Sequence, residues 1–217
     1  MDGDFSGHLL TRGAGLSLAT VVDNTDPEGR GRLRVHLLPL DVMVWAALIV
    51  PSAGLGYGIA LLPKVGEVVV VAFLTPEQPF VLGAVWSGAQ SEPAKATPAD
   101  SRYSLTTPKG MTAVFDDTDG PSVAITTPAG NSIKLTDSGG GSCTVTLGAT
   151  SVQVTSSEID LTASGAVQVK AASVKVSASE VSVDAAMSSF SGVVKCDTLI
   201  ANAVVGTSYT PGAGNIW

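Results

Sequence analysis

The chain has two histidines, His8 and His36, and imidazole is the usual base beside a catalytic nucleophile. Neither has a convincing nucleophilic or acidic companion in sequence, and both read as solvated surface histidines. Asp116-Asp117 offers the paired carboxylates that glycoside hydrolysis requires. The pair falls at a repeat turn, where Asp is favoured for its own backbone hydrogen bonds. Asp117-Thr118-Asp119-Gly120 opens like a calcium loop, but the later bidentate Glu and the full loop spacing are missing. Gly13-Ala14-Gly15 and Gly54-Leu55-Gly56-Tyr57-Gly58 lack the strand-then-helix context and the Lys-Ser/Thr of a phosphate cradle, and read as turns. Arg30, Arg32 and Arg34, with Lys64, could line a face for single-stranded nucleic acid, but such faces add stacking aromatics to a positive groove. Here the surrounding section is net negative and Trp45 and Trp86 lie within apolar runs. Ion pairs to another protein chain are the better use of the three arginines. No catalytic, cofactor or metal site is expected.

Composition points the same way. The 217 residues are 45% hydrophobic but only 5% aromatic and 14% charged, against about 25% charged in ordinary soluble domains. Val and Ala beside abundant Thr and Ser suit pleated, half-buried strands, and the apolar surplus suggests assembly with other chains. The net charge is −7, divided as −3 over residues 1–90 and −4 over residues 91–217, so neither part is a basic nucleic-acid domain. No apolar run approaches the length of a spanning helix. The acidic start Met1-Asp2-Gly3-Asp4-Phe5 is unlike a secretory signal, so synthesis in the bacterial cytoplasm without a signal peptide is expected. Cys143 and Cys196 share strand parity with neighbouring valines and read as small core residues.

The elements that must carry these residues are strands. Gly31-Arg32-Leu33-Arg34-Val35-His36-Leu37 alternates, with Leu33, Val35 and Leu37 inward. Val68-Val69-Val70-Val71-Ala72-Phe73 reads as a strand buried on both faces, and four to six strands without an amphipathic helix suggest a small closed barrel. Residues 89–100 have the Pro/Ala/polar composition of a linker. Beyond it the chain repeats. Ser104–Asp117 aligns with Ala124–Asp137, each unit a strand, a Pro-x-Gly turn, a strand and an acidic turn. Then apolar pairs begin at Val145, Val152, Ile159, Val167, Val174 and Val181, in steps of 7, 7, 8, 7 and 7. Short strands at a fixed step, each unable to bury its own face, predict a stacked β-solenoid.

Asp26-Pro27-Glu28-Gly29-Arg30-Gly31-Arg32-Leu33-Arg34-Val35, Trp45, Pro51-Ser52-Ala53-Gly54, Pro63-Lys64-Val65-Gly66-Glu67 and Pro79-Phe80-Val81-Leu82-Gly83 follow one another in order. This series resembles the oligonucleotide/oligosaccharide-binding (OB) barrel of the phage baseplate assembly protein V family, which includes central tail spikes and type VI secretion spikes. The Thr-Thr-Pro-x-Gly repeats with Asp116-Asp117-Thr118-Asp119-Gly120 resemble the segment after the barrel in those spikes. The resemblance implies an all-β homotrimer: an N-terminal OB-fold barrel followed by a C-terminal intertwined triple-stranded β-helix. It implies a collar docked on a trimeric baseplate hub protein and a needle that meets the target cell membrane transiently. The expected divisions are an N-terminal extension at 1–17, the barrel at 18–88, a linker at 89–102, the β-helix spike at 103–208 and a tip segment at 209–217. Many relatives end in a His-x-His motif that clasps iron. With histidines only at 8 and 36, that site is not expected and a PAAR-like tip-capping protein is. Hub and wall-cutting domains are expected on other chains.

Within that scheme Tyr209, Ile216 and Trp217 are candidate tip-partner contacts, and Arg30, Arg32 and Arg34 are candidate collar or hub ion pairs. The expected function is that of a non-enzymatic, membrane-piercing spike in the baseplate of a phage tail, tailocin or extracellular injection system, with no nucleic-acid partner. The alternatives are an OB binding module for glycan or single-stranded nucleic acid on a solenoid stalk, and a polysaccharide-degrading β-helix using Asp116 and Asp117.

Overall fold

The computed structural model describes residues 15–38, 40–88 and 92–207. Fourteen strands and no α-helix occur among them. The chain divides into two units, Met1–Val167 and Gln168–Trp217.

Five strands close a barrel in the order β1-β2-β3-β7-β6. They are β1 (Leu16–Asp23), β2 (Arg32–Leu37), β3 (Val42–Leu48), β6 (Val68–Thr75) and β7 (Gln78–Val85). Neighbours are antiparallel except β3 and β7, which run parallel through Ala47↔Phe80 and Leu48↔Val81. A short hairpin, β4 (Ala53–Gly54) and β5 (Tyr57–Gly58), lies between β3 and β6 in the chain. This is the small closed barrel that the alternation anticipates, OB-like as the resemblance implies. Leu33, Val35 and Leu37 point inward and meet Ala19, Val21, Ala46, Val69, Val71 and Val81. On β6 only Val69 and Val71 are buried; Val68, Val70 and Ala72 are half-buried on the outer surface. The strand is therefore not buried on both faces as its apolar run suggests.

The chain then crosses a single 3₁₀ turn at Ala94–Ala96 and enters a seven-stranded sheet. Its strands are β8 (Arg102–Thr106), β9 (Thr112–Asp116), β10 (Ser122–Thr126), β11 (Ser132–Thr136), β12 (Ser142–Leu147), β13 (Thr150–Thr155) and β14 (Ile159–Thr162). Every strand pairs antiparallel with the next. This corrects the solenoid expectation where its seven-residue steps fall within the sheet, at residues 145–162. Solenoid turns stack strands in one direction, whereas each turn here reverses the chain. The reversals have local causes. In Thr107-Pro108-Lys109-Gly110 the Gly110 N–H donates to the Thr107 carbonyl at 2.8 Å, and Gly110 takes φ +84°; Gly130 repeats this at the same angle. Proline presets the first turn position and glycine accepts the left-handed one. Between β12 and β13 only Gly148 and Ala149 intervene, with Gly148 at φ +59°, a two-residue hairpin turn.

Residues 168–207 contain no strand and every one is exposed. Cys143 is half-buried in the sheet, but Cys196 is exposed in this second unit, so the shared core role expected of the two cysteines does not hold within one chain.

The fully buried apolar residues all belong to the barrel, so the barrel is where truncation costs most within one chain. Leu33→Ala is expected to destabilise the barrel by about 2–5 kcal/mol, read from the shift of its denaturant unfolding midpoint; Leu105→Ala, on the exposed sheet face, is expected to cost an isolated chain much less.

Candidate functional site

The loop between β1 and β2 is built on one carboxylate. The Asp26 side chain is only 2% exposed. It accepts backbone N–H groups of Glu28 at 3.0 Å, Arg30 at 2.9 Å and Arg32 at 3.2 Å. Arg32 adds Nε at 3.1 Å and Nη2 at 2.9 Å, and the same Nη2 reaches Glu28 Oε1 at 2.8 Å. Arg30 pairs with Glu28 at 2.6 Å. The Arg32 guanidinium also lies 5.6 Å from the Trp45 ring centroid, within cation–π range. The hydrogen bonds from Arg32 and the loop N–H groups hold the Asp26 carboxyl well below the usual carboxylate range, and those same carboxylates hold Arg32 charged. Arg32 is thus committed to its own loop. Arg34 is exposed and has no ion pair among the described residues.

Sequence reasoning saw no companion for His36. The fold supplies one: the β2–β3 connection brings Asp41 Oδ1 to 2.6 Å from His36 Nε2, with Asp41 at φ +51°. No nucleophile accompanies the pair in that connection. His8, Tyr209, Ile216 and Trp217 lie outside the described residues. Of the carboxylate pair, Asp116 binds Arg102 Nε at 2.7 Å and accepts the Thr118 N–H at 2.9 Å. The Thr118 hydrogen bonds and Arg102 hold its carboxyl below the usual range. Among the described residues no cluster of His, Cys, Asp and Glu is arranged to hold a metal ion. Trp86 and Tyr57 are both well exposed, although the sequence places Trp86 in an apolar run.

The most extensive feature is one face of the seven-stranded sheet. Cross-strand register aligns Tyr103, Phe115, Val123, Leu135, Cys143, Val154 and Ile159 in one row. A second row runs Leu105, Ala113, Ile125, Ile133, Val145, Val152 and Leu161. Both rows are apolar at every strand. The opposite face and the strand ends carry Ser, Thr, Arg102, Asp116, Lys134, Gln153 and Asp160, interrupted by Val114 and Ala124. In one chain the apolar rows have no cover: Tyr103 is 78%, Phe115 59% and Ile159 73% exposed. Sequence reading found the apolar pairs; it missed that they align into two unbroken ladders, which depends on the antiparallel register.

Closed topology, a single parallel strand pair and an Asp-Pro-x-Gly-x-Gly loop define the N-terminal part as an OB-type barrel of assembly proteins. Residues 17–86 match the family model for the type VI secretion system/phage-baseplate injector OB domain. Over those residues the barrel is similar to the OB domain of baseplate and type VI secretion injector proteins. A search of curated proteins finds no match to the chain. Among the described residues no helix is long and apolar enough to cross a membrane.

Asp26 makes the barrel's pH response testable. Its folded pKa lies below the unfolded value of about 3.9. Its contribution is therefore fully present above that value and is lost as pH falls towards the folded pKa. Asp26→Asn is expected to lower the melting temperature at pH 7, with the gap to wild type closing progressively below about pH 4.

Proposed function

We propose that this protein is the central spike of a contractile, phage-type baseplate, a homotrimer whose barrels form a collar and whose C-terminal segments form a needle. The observation that carries the reading is the pair of apolar ladders. A sheet whose strands are paired in an unbroken series but whose apolar face is bare is finished locally and unfinished as a fold. Burying such a face is worth about 25 cal/mol for each Å² removed from water. Three copies turning these faces to a common axis would enclose them in one dry core and leave the Ser/Thr face in water.

The valine pairs beyond Thr162 support the same assembly. Val167 and Val169, Val174 and Val176, and Val181 and Val183 have no strand partner and are exposed within one chain. Short alternating segments of this kind are satisfied when strands from three chains interleave, each pairing with its neighbours along the axis. Axial load would then be shared among many backbone hydrogen bonds at about 4.8 Å spacing, a suitable material for a membrane-piercing needle. The match of the barrel to the injector OB family supports a collar seated on a trimeric hub, with Arg34 and the exposed Arg30 available to it and Arg32 held back by Asp26. A PAAR-like cap at the tip, met by Tyr209, Ile216 and Trp217, completes the proposal. The work is mechanical and calls for no catalytic group or cofactor.

Light scattering on the purified 21.9 kDa chain is expected to give three chains, about 66 kDa, and a species resistant to heat and detergent. Ile125→Asp, which puts a charge in the middle of a ladder, is expected to yield monomer or aggregate while the barrel still folds. A soluble, stable wild-type monomer would remove the spike reading.

A further inference from the structure

The seven-stranded sheet has two unlike edges. Turns after β8, β10 and β12 fall on one edge, and turns after β9, β11 and β13 on the other. The first edge carries a single charged residue, Lys109, which is exposed and has no ion pair among the described residues. The second carries Asp117, Asp119, Asp137 and Glu158, all exposed. Both edges are tied turn to turn. On the first, the Gly148 N–H donates to Asn131 Oδ1 at 3.2 Å. On the second, Ser101 Oγ meets Thr118 Oγ1 at 3.1 Å, and Ser138 Oγ donates to the Asp119 carbonyl at 2.8 Å. A Cβ at Gly120 would come within 2.8 Å of Ser138 Oγ, so these turns are closely stacked.

We infer that, in the trimer, the Lys109 turn of each copy lies against the Asp117–Asp119 turn of the next copy, making three identical charged corners. This rests on the spike reading above and adds the order in which the copies meet. Three sheets facing one axis form a three-sided prism whose corners are the sheet edges. In a cyclic trimer the interface between neighbours is heterologous away from the axis, so at the corners the first edge of one copy meets the second edge of its neighbour. Joining like edges would set Asp117, Asp119 and Asp137 against their own equivalents. The turns after β8 and β9 differ in height by one strand, about 4.8 Å, within reach of a lysine side chain. Asp137 lies two strands further along, about 10 Å beyond, and is out of range of Lys109. An exposed pair of this kind adds little affinity but selects which edges join.

The test is a full-length chain with Cys143→Ala and Cys196→Ala that carries Lys109→Cys and Asp119→Cys. Within one chain the two positions are separated by the width of the sheet, about 17 Å for a five-residue strand, too far for a disulfide. After mild oxidation, the double variant is expected to run as covalent dimer and trimer on a non-reducing denaturing gel. Each single-cysteine chain, and Lys109→Cys paired with Asp137→Cys, is expected to stay at the mass of one chain. If the substituted chain does not assemble, zero-length carbodiimide coupling of wild-type protein reads the same contact as an amide between the Lys109 and Asp117–Asp119 peptides. A wild-type trimer by light scattering that gives neither product would overturn the corner and leave the spike standing. A wild-type monomer overturns both.

Discussion

Everything in the C-terminal part of this chain follows from a mismatch between its hydrogen bonds and its apolar surface. Strands β8 to β14 satisfy one another's backbone groups in an unbroken antiparallel series, yet no residue of that sheet is fully buried. The two requirements of a stable β-structure are met by different bodies: the chain supplies its own ladder, and something else must supply the cover. Antiparallel sheets normally present one face to a core and one to water. Here the polar face is ready for water and the core is missing. The proposed cyclic assembly would resolve this without any new chain, because the same face would serve as surface and as partner.

The barrel works on the opposite plan. Its core is closed within one chain around Leu33, Val35, Val69 and Val71, and its first loop is fixed by Asp26 within the same chain. The barrel thus carries its own core, whereas the sheet that follows it in the chain has none within one chain. The charge near the loop is largely internal: Arg32 is spent on Asp26, Glu28 and Trp45. What the loop offers outward is shape, along with Arg34 and part of Arg30, rather than a positive groove.

Much of this was legible in the residues. Alternation at Leu33, Val35 and Leu37 located a barrel strand and its inward face, and the spacing of Pro108-Lys109-Gly110 and Pro128-Ala129-Gly130 located turns with the correct chemistry. The direction of the chain after each turn was not legible. A seven-residue step arises equally from a solenoid corner and from a hairpin with a two-residue turn, and the antiparallel register Val145↔Val152 decides between them. Asp26 stayed hidden because most of its partners are backbone N–H groups, which leave no trace in side-chain patterns. His36 and Asp41 were too far apart in sequence to suggest a pair until the β2–β3 turn brought them together. Beyond Thr162 the valine pairs continue the apolar pattern, but no strand forms there among the described residues of one chain.

The strands of the first repeats begin ten residues apart, at 102, 112, 122, 132 and 142, and a twenty-residue unit returns the chain to the same edge pointing the same way. The sheet is in this sense a counting device. Insertion or deletion of one whole unit would alter its height by two strand spacings, about 10 Å, while keeping both ladders, both edges and the exit direction. A ten-residue change would carry the following strands to the wrong edge, and a one-residue change within a strand would turn its apolar side chains into water. Length in such a structure can be tuned by genetic duplication of a unit, in discrete increments, with no redesign of the parts on either side.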